Sequence, residues 1–190
     1  FGKAYFPKPG GDKIGRRHLD THFIGLKMLG DEFCFDASES SYTINGNNLK
    51  GTYILLEEAS VTGTANIVMA AVLAKGQTTI YNAACEPYIC QLCTMLNSMG
   101  AQISGVGSNL LNITGVEKLS GTAHRCLPDM IEIGSFIGLA AMTASQIRIK
   151  DCRVDMLGLI PRAFGKLGIK LQIEGADILM PAQDHYEIES

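Results

Sequence analysis

The chain lacks an excess of positive charge, a long apolar run and an ordered cysteine pattern, and each absence removes a class of protein. Lysine and arginine number 16 against 19 aspartates and glutamates, a net charge of -3, with a pI near 5.8. Duplex binding is driven by phosphate neutralisation, so a general nucleic-acid binder is excluded and any anion site is local. No apolar stretch reaches the ~18 residues of a membrane-spanning helix, so no segment is expected to span a membrane and no membrane partner is expected, and no charged-then-apolar signal segment opens the sequence. The six cysteines, at 34, 85, 90, 93, 126 and 152, lack the regular framework of a small secreted domain, so a reducing cytoplasm is the expected compartment. Cys90 and Cys93 have metal-pair spacing, but they fall in a helical pattern with Ile89, Leu92, Leu96 and Met99. Neither a second Cys-x-x-Cys nor a histidine pair completes the ligands, so a core role is expected and no metal.

What is present is apolar enough to fold. At 190 residues, 46% hydrophobic and 18% charged, the chain has material for one domain or two small ones. The segment from Phe6 to Thr21 reads F-P-K-P-G-G-D-K-I-G-R-R-H-L-D-T, a structured loop that ends where a helix begins. Glycines let backbone amides approach a ligand, a helix start offers unpaired N–H groups, and Arg16 and Arg17 add fixed charge. A phosphorylated substrate suits this loop, with Asp12 as its one acid; a plain surface turn has the same composition. Gly10 and Gly15 have P-loop spacing, yet Arg16 and Arg17 stand where Lys and Ser/Thr are required, so an ATPase is excluded. His18 and His22 are four apart, but Leu19 sits where the zinc-protease motif needs glutamate, and both read as exposed histidines.

An internal repeat of about 69 residues organises the rest. Gly76-Gln-Thr-Thr-Ile-Tyr-Asn82 answers Ser145-Gln-Ile-Arg-Ile-Lys-Asp151, and Met99-Gly-Ala-Gln-Ile103 answers Leu167-Gly-Ile-Lys-Leu171. Leu29 to Phe33 and Tyr42 to Gly46 supply a third copy. Each full copy predicts strand, helix, strand, helix, strand, strand. The middle one runs as strand 52–56, helix 61–74, strand 78–82, helix 87–99 and a hairpin over 101–113 turning at 105–109. The last runs as strand 123–127, helix 130–144, strand 146–150, helix 156–167 and a hairpin over 169–179. The two small-residue helices, 61–74 and 131–144, are expected to be buried on nearly all sides. The first copy starts at its second strand, near Gly2 to Phe6. With Phe1 in place of an initiator Met, a piece of a longer protein with uncovered apolar faces is expected, and with it self-association. In this copy the strand-to-helix link is about five residues longer than its counterpart at 82–87, and the surplus is the glycine-rich loop.

These residues resemble the enolpyruvyl transferase family over essentially the whole chain. The specific runs are Pro9-Gly-Gly-Asp-Lys-Ile-Gly-Arg-Arg17 with Asp20, Asn45-Gly46 to Leu49-Lys-Gly51, Ser60-Val61 with Thr64-Ala-Asn66, Asn82-Ala-Ala-Cys-Glu-Pro87, and Leu127-Pro-Asp-Met-Ile-Glu132. The resemblance implies an incomplete α/β fold of repeated βαβαββ units, an inside-out barrel with buried helices and outer sheets. It further implies that 1–127 is part of the loop-bearing, UDP-sugar-binding domain and that 128–190 is the first repeat of a second domain.

The implied reaction is transfer of enolpyruvyl from phosphoenolpyruvate to the 3-hydroxyl of UDP-N-acetylglucosamine in peptidoglycan precursor synthesis, without a cofactor. Transfer to shikimate 3-phosphate and a non-catalytic binding fragment are the alternatives, and the isolated chain is expected to be inactive. The family usually carries Cys at the loop tip, where this chain has Asp12 as the implied catalytic acid. Positioned acid catalysis is worth about 10²- to 10⁴-fold. A free aspartate titrates near ~3.9, against ~8.5 for cysteine, so Asp12 needs its pKa raised by roughly 2 to 3, through desolvation or a neighbouring phosphate. The sugar nucleotide is implied to lie against Arg17, His18, Leu19, Asp20 and Thr21, and against Glu58, Ala59, Ser60 and Val61. His18 replaces a common Pro, and Glu58 replaces a Lys of some members. Asp129 reads equally as a helix cap or an acid near a cleft, Glu86 as helix N-terminal charge, and Gly105 and Gly107 as a hairpin turn.

Overall fold

Three small sheets with the same wiring carry the repeat. The structure, a computed structural model, describes residues 2–8, 10, 19–30 and 32–188, the side chain of Phe33 excepted. The chain divides into two compact units, Phe1–His124 and Arg125–Ser190. The first begins with β1 (Lys3–Pro7), α1 (Asp20–Met28), β2 (Glu32–Asp36) and β3 (Ser41–Asn45). It continues with β4 (Tyr53–Leu55), α2 (Val61–Ala71), β5 (Gln77–Tyr81), α3 (Pro87–Ser98), β6 (Gln102–Ser104) and β7 (Leu110–Thr114). The second holds α4 (Met130–Met142), β8 (Ile147–Ile149), a 3-10 turn (Val154–Met156), α5 (Ile160–Lys166), β9 (Gln172–Glu174) and β10 (Asp177–Met180).

The sheet orders are β1-β3-β2, β4-β5-β7-β6 and β8-β10-β9. In each copy the last strand lies between the other two and pairs antiparallel with both, as in Phe6↔Tyr42, Ile80↔Leu111 and Ile178↔Ile149. Among the described strands β4 and β5 pair in parallel, because a helix, α2, connects them. The predicted helix stops recur as well. Ala101 N donates to Leu96 O at 3.0 Å and Ile169 N to Phe164 O at 3.1 Å. Between helix and strand, Gly100 has φ +103 and Gly168 φ +79. This left-handed closure satisfies carbonyls that the helix end leaves open.

Each unit has its own core. In the first, Ile67, Val68 and Ala71 of α2 pack among Ile54, Ile80, Leu111 and Ile113 of the four-stranded sheet. In the second, Ile133, Ile137 and Ala140 of α4 pack with Cys152, Leu157, Ile178 and Met180. Each fully buried branched side chain contributes about 1.5–3 kcal/mol.

Three expectations need correction. Helices α2 and α4 are buried on one side only: Leu73 just past α2 is 51% exposed, and on α4 Ile131 is 71%, Leu139 55% and Met142 89% exposed. A small-residue, apolar sequence permits burial all round, but burial also needs an element on the other face. Residues 123–127 form no strand, since a strand exists only where a ladder pairs it. The helix expected over 156–167 is a 3-10 turn followed by the seven residues of α5, because Gly158 at φ +55 interrupts it ahead of Pro161.

Candidate functional site

The site is built where α1 and α2 begin. Residues 56–60 leave the carboxyl end of β4, beside its parallel neighbour β5, the end at which open α/β sheets place ligands. Asn82 at φ +61 ties these ends together, its Nδ2 donating to Leu56 O at 3.0 Å. Ser60 then caps α2, its Oγ accepting from Gly63 N at 3.2 Å. The N–H groups of Val61 and Thr62 have no intrahelical partner, by helix geometry, and the positive end of the helix dipole adds to them. Such a turn suits an anionic oxygen.

Helix α1 lies against this turn. Leu19 is its N-cap residue and Asp20 opens its first turn. Thr21, 8% exposed, donates from Oγ1 to Glu58 Oε1 at 3.0 Å. The approach is close: a Cβ added at Gly63 would stand 2.7 Å from Thr21 Cγ2 and 3.1 Å from Ser60 Oγ, and one at Gly25 2.2 Å from Ile67 Cδ1. Glycine on each helix therefore sets their separation. Tyr42 packs its ring 5.6 Å from Phe6 on β1 and 5.0 Å from Phe23 on α1, which joins the elements on either side of the glycine-rich segment.

Sequence reading did not foresee that His22 meets Thr62 and Asn66. His22 is half-buried, not the exposed histidine expected. Its Nδ1 lies 2.8 Å from Asn66 Nδ2 and its Nε2 3.4 Å from Thr62 Oγ1. The neutral Nε2–H tautomer, assigned from these partners, satisfies both contacts, accepting at Nδ1 and donating at Nε2. Burial lowers the pKa of His22 below its ordinary value, against a smaller opposing pull from Glu58. The available signal was that His22 stands one residue after Thr21 and that Asn66 lies on a helix whose other residues are small or apolar.

The structure thus brings Thr21 against Glu58 and the Ser60–Gly63 turn, with Leu19 and Asp20 preceding Thr21 at the start of α1 and Ala59 and Val61 flanking Ser60 in sequence. Asp12, Arg17 and His18 lie outside the described residues. Of the other residues considered, Asp129 caps α4, accepting from Ile131 N at 2.8 Å and Glu132 N at 3.2 Å. Glu86 precedes Pro87 at the start of α3 without a side-chain cap bond. Gly105 and Gly107, both at positive φ, lie in the turn between β6 and β7. Cys93 is a buried thiol pushed up to about 11, first by desolvation, and Cys90 Sγ donates to Cys85 O at 3.5 Å. No helix among the described residues is long and apolar enough to cross a membrane.

Solved structures share this fold, among them the following two. The enolpyruvyl transferase NikO from Streptomyces tendae superposes with a TM-score of 0.80 at 16% identity, covering 96% of this chain and 44% of that one. EPSP synthase from Acinetobacter baumannii gives 0.64 at 19% identity, over 95% of this chain and 43% of that one. The fold is that of the enolpyruvyl transferases. The chain belongs to the EPSP synthase (3-phosphoshikimate 1-carboxyvinyltransferase) family, whose model matches residues 2–189. Within it, the chain is 66% identical to the UDP-N-acetylglucosamine 1-carboxyvinyltransferase of Bacteroides thetaiotaomicron, 62% to that of Porphyromonas gingivalis and 51% to that of Treponema denticola. The first two matches cover 100% of this chain and the third 98%. The chain spans 44% of the length of the first two relatives and 43% of the third.

Proposed function

We propose that this chain supplies the loop-bearing, sugar-nucleotide side of a cytoplasmic transferase of peptidoglycan precursor synthesis. The enzyme moves enolpyruvyl from phosphoenolpyruvate to the 3-hydroxyl of UDP-N-acetylglucosamine and releases phosphate. The observation that carries the reading is the 66% identity, across all 190 residues, with a relative named for that acceptor, against 19% with an EPSP synthase. In this reading 1–127 belongs to the sugar-nucleotide domain and 128–190 begins a second one.

Asp12 is the proposed acid. Its carboxyl protonates the methylene carbon of phosphoenolpyruvate, the adjacent carbon becomes oxocarbenium-like, and the sugar 3-hydroxyl attacks it while losing its proton. Loss of a proton from the methyl group so formed, together with departure of phosphate from the adduct, restores the double bond. Asp12 must be protonated at the start, which desolvation and the substrate phosphate favour. Arg17, His18, Leu19, Asp20 and Thr21 line one side of the nucleotide, and Glu58, Ala59, Ser60 and Val61 the other. The N-terminus of α2 faces the diphosphate, and Glu58, engaged by Thr21, accepts from a ligand hydroxyl or N–H.

Phosphate release from phosphoenolpyruvate is the test, with UDP-N-acetylglucosamine or shikimate 3-phosphate as acceptor. It is run on the product of the whole reading frame and on the 190 residues alone. The proposal expects turnover with the nucleotide only, in the whole product only, and its loss in Asp12→Ala. Turnover with shikimate 3-phosphate, or normal turnover in Asp12→Ala, refutes it. Fosfomycin, an epoxide that inactivates the cysteine-bearing members, should leave Asp12 unlabelled by intact mass.

A further inference from the structure

We propose that His22 is a positioning residue that clasps α1 to α2 and so holds the two halves of the sugar-nucleotide edge in register. The inference rests on the proposed function, because the edge matters only if both segments touch one ligand. His22 follows Thr21 directly, and its ring reaches Thr62 and Asn66, one turn apart on α2. With the bond from Thr21 to Glu58, these contacts form a polar seam along the glycine-lined contact of the two helices. Thr62 belongs to the first turn of α2, whose amides are the proposed diphosphate contact, and Thr21 to the first turn of α1. Movement of one helix along the other would separate Leu19, Asp20 and Thr21 from Ser60 and Val61. A ligand bridging both then has to bear the cost of ordering them.

The imidazole serves because it accepts at one nitrogen and donates at the other in its neutral form, and half-burial favours that form. Glutamine offers the same pair of functions from its amide oxygen and nitrogen. Alanine offers neither. Thr62 and Asn66 are themselves exposed, so on loss of the ring they turn to water, and folding is affected less than register.

The test is calorimetric titration of UDP-N-acetylglucosamine into the product of the whole reading frame and its variants, with thermal unfolding followed in parallel. His22→Ala should bind about 5- to 10-fold more weakly, the equivalent of one or two net hydrogen bonds. His22→Gln should return to within about twofold of the unsubstituted chain. Asn66→Ala should reproduce most of the loss, and the double variant His22→Ala with Asn66→Ala should add little to it, because the two groups act as one contact. Equal binding by His22→Ala, or no recovery in His22→Gln, overturns the clasp and leaves the functional reading standing. Failure of the unsubstituted chain to bind overturns both.

Discussion

Thr21 on the first turn of α1 donates a hydrogen bond to Glu58, 37 residues further along, at 3.0 Å. The hydroxyl is buried and the carboxylate is exposed, so the bond fastens a flexible acid to a fixed point.

Removing the donor with Thr21→Val should lower stability by about 0.5–1.5 kcal/mol, the usual net value of such a bond. Glu58→Gln keeps an acceptor and should be close to neutral. A double-mutant cycle of Thr21→Val with Glu58→Ala in urea should show coupling of about 0.5–1 kcal/mol. Simple additivity would mean that the bond carries no weight in solution.

Gly63→Ala sets two effects against each other. Alanine is favoured over glycine inside a helix by about 1 kcal/mol. Its Cβ, however, meets Thr21 Cγ2 at 2.7 Å and Ser60 Cβ at 3.2 Å, and overpacking typically costs about 1–3 kcal/mol. The clash should win, lowering the urea midpoint and weakening UDP-N-acetylglucosamine binding together. A stabilised variant would show that the two helices separate without cost.

His22 makes stability depend on pH. Its folded pKa lies below the ordinary 6.5, chiefly through burial, so between the folded value and 6.5 the unfolded chain binds the extra proton. Stability is then complete above 6.5 and is lost as pH falls through 6.5 towards the folded value. The thermal midpoint should drop on acidification across this window, and less so in His22→Gln. An identical pH profile for both proteins would assign the drop to other groups.

Ala144 ends α4 at φ +50, in the position that Gly100 and Gly168 take after α3 and α5. Ser145 N still reaches Ala140 O at 2.9 Å, so the closure forms around a residue that resists it. The left-handed conformation costs a non-glycine residue about 1–2 kcal/mol, partly offset by the backbone entropy glycine brings. Ala144→Gly should therefore stabilise by about 0.5–1 kcal/mol in urea denaturation. A loss of stability would place the strain elsewhere.

The repeat was legible because its markers are local. A glycine after a helix and a strand directly beyond it report their own backbone, and the three sheets repeat one order accordingly. Helix α2 was legible from the small, apolar residues of its own stretch. Strand 123–127 was not, because the repeat supplies a candidate and only a pairing partner makes it a strand. Nor was the clasp of His22 with Asn66, 44 residues apart, since no local pattern encodes a contact across a helix seam.

By itself the sequence determined the repeat, most of the element order, the glycine stops after two helices and the family, all carried by residue types that act on their own backbone or recur at fixed spacing. Tertiary structure alone decided which helix faces are covered and that Thr21 meets Glu58 while His22 meets Thr62 and Asn66. Those outcomes depend on how closely two helices approach, and that distance is set by glycines from separate parts of the chain, Gly25 and Gly63, only once they face one another.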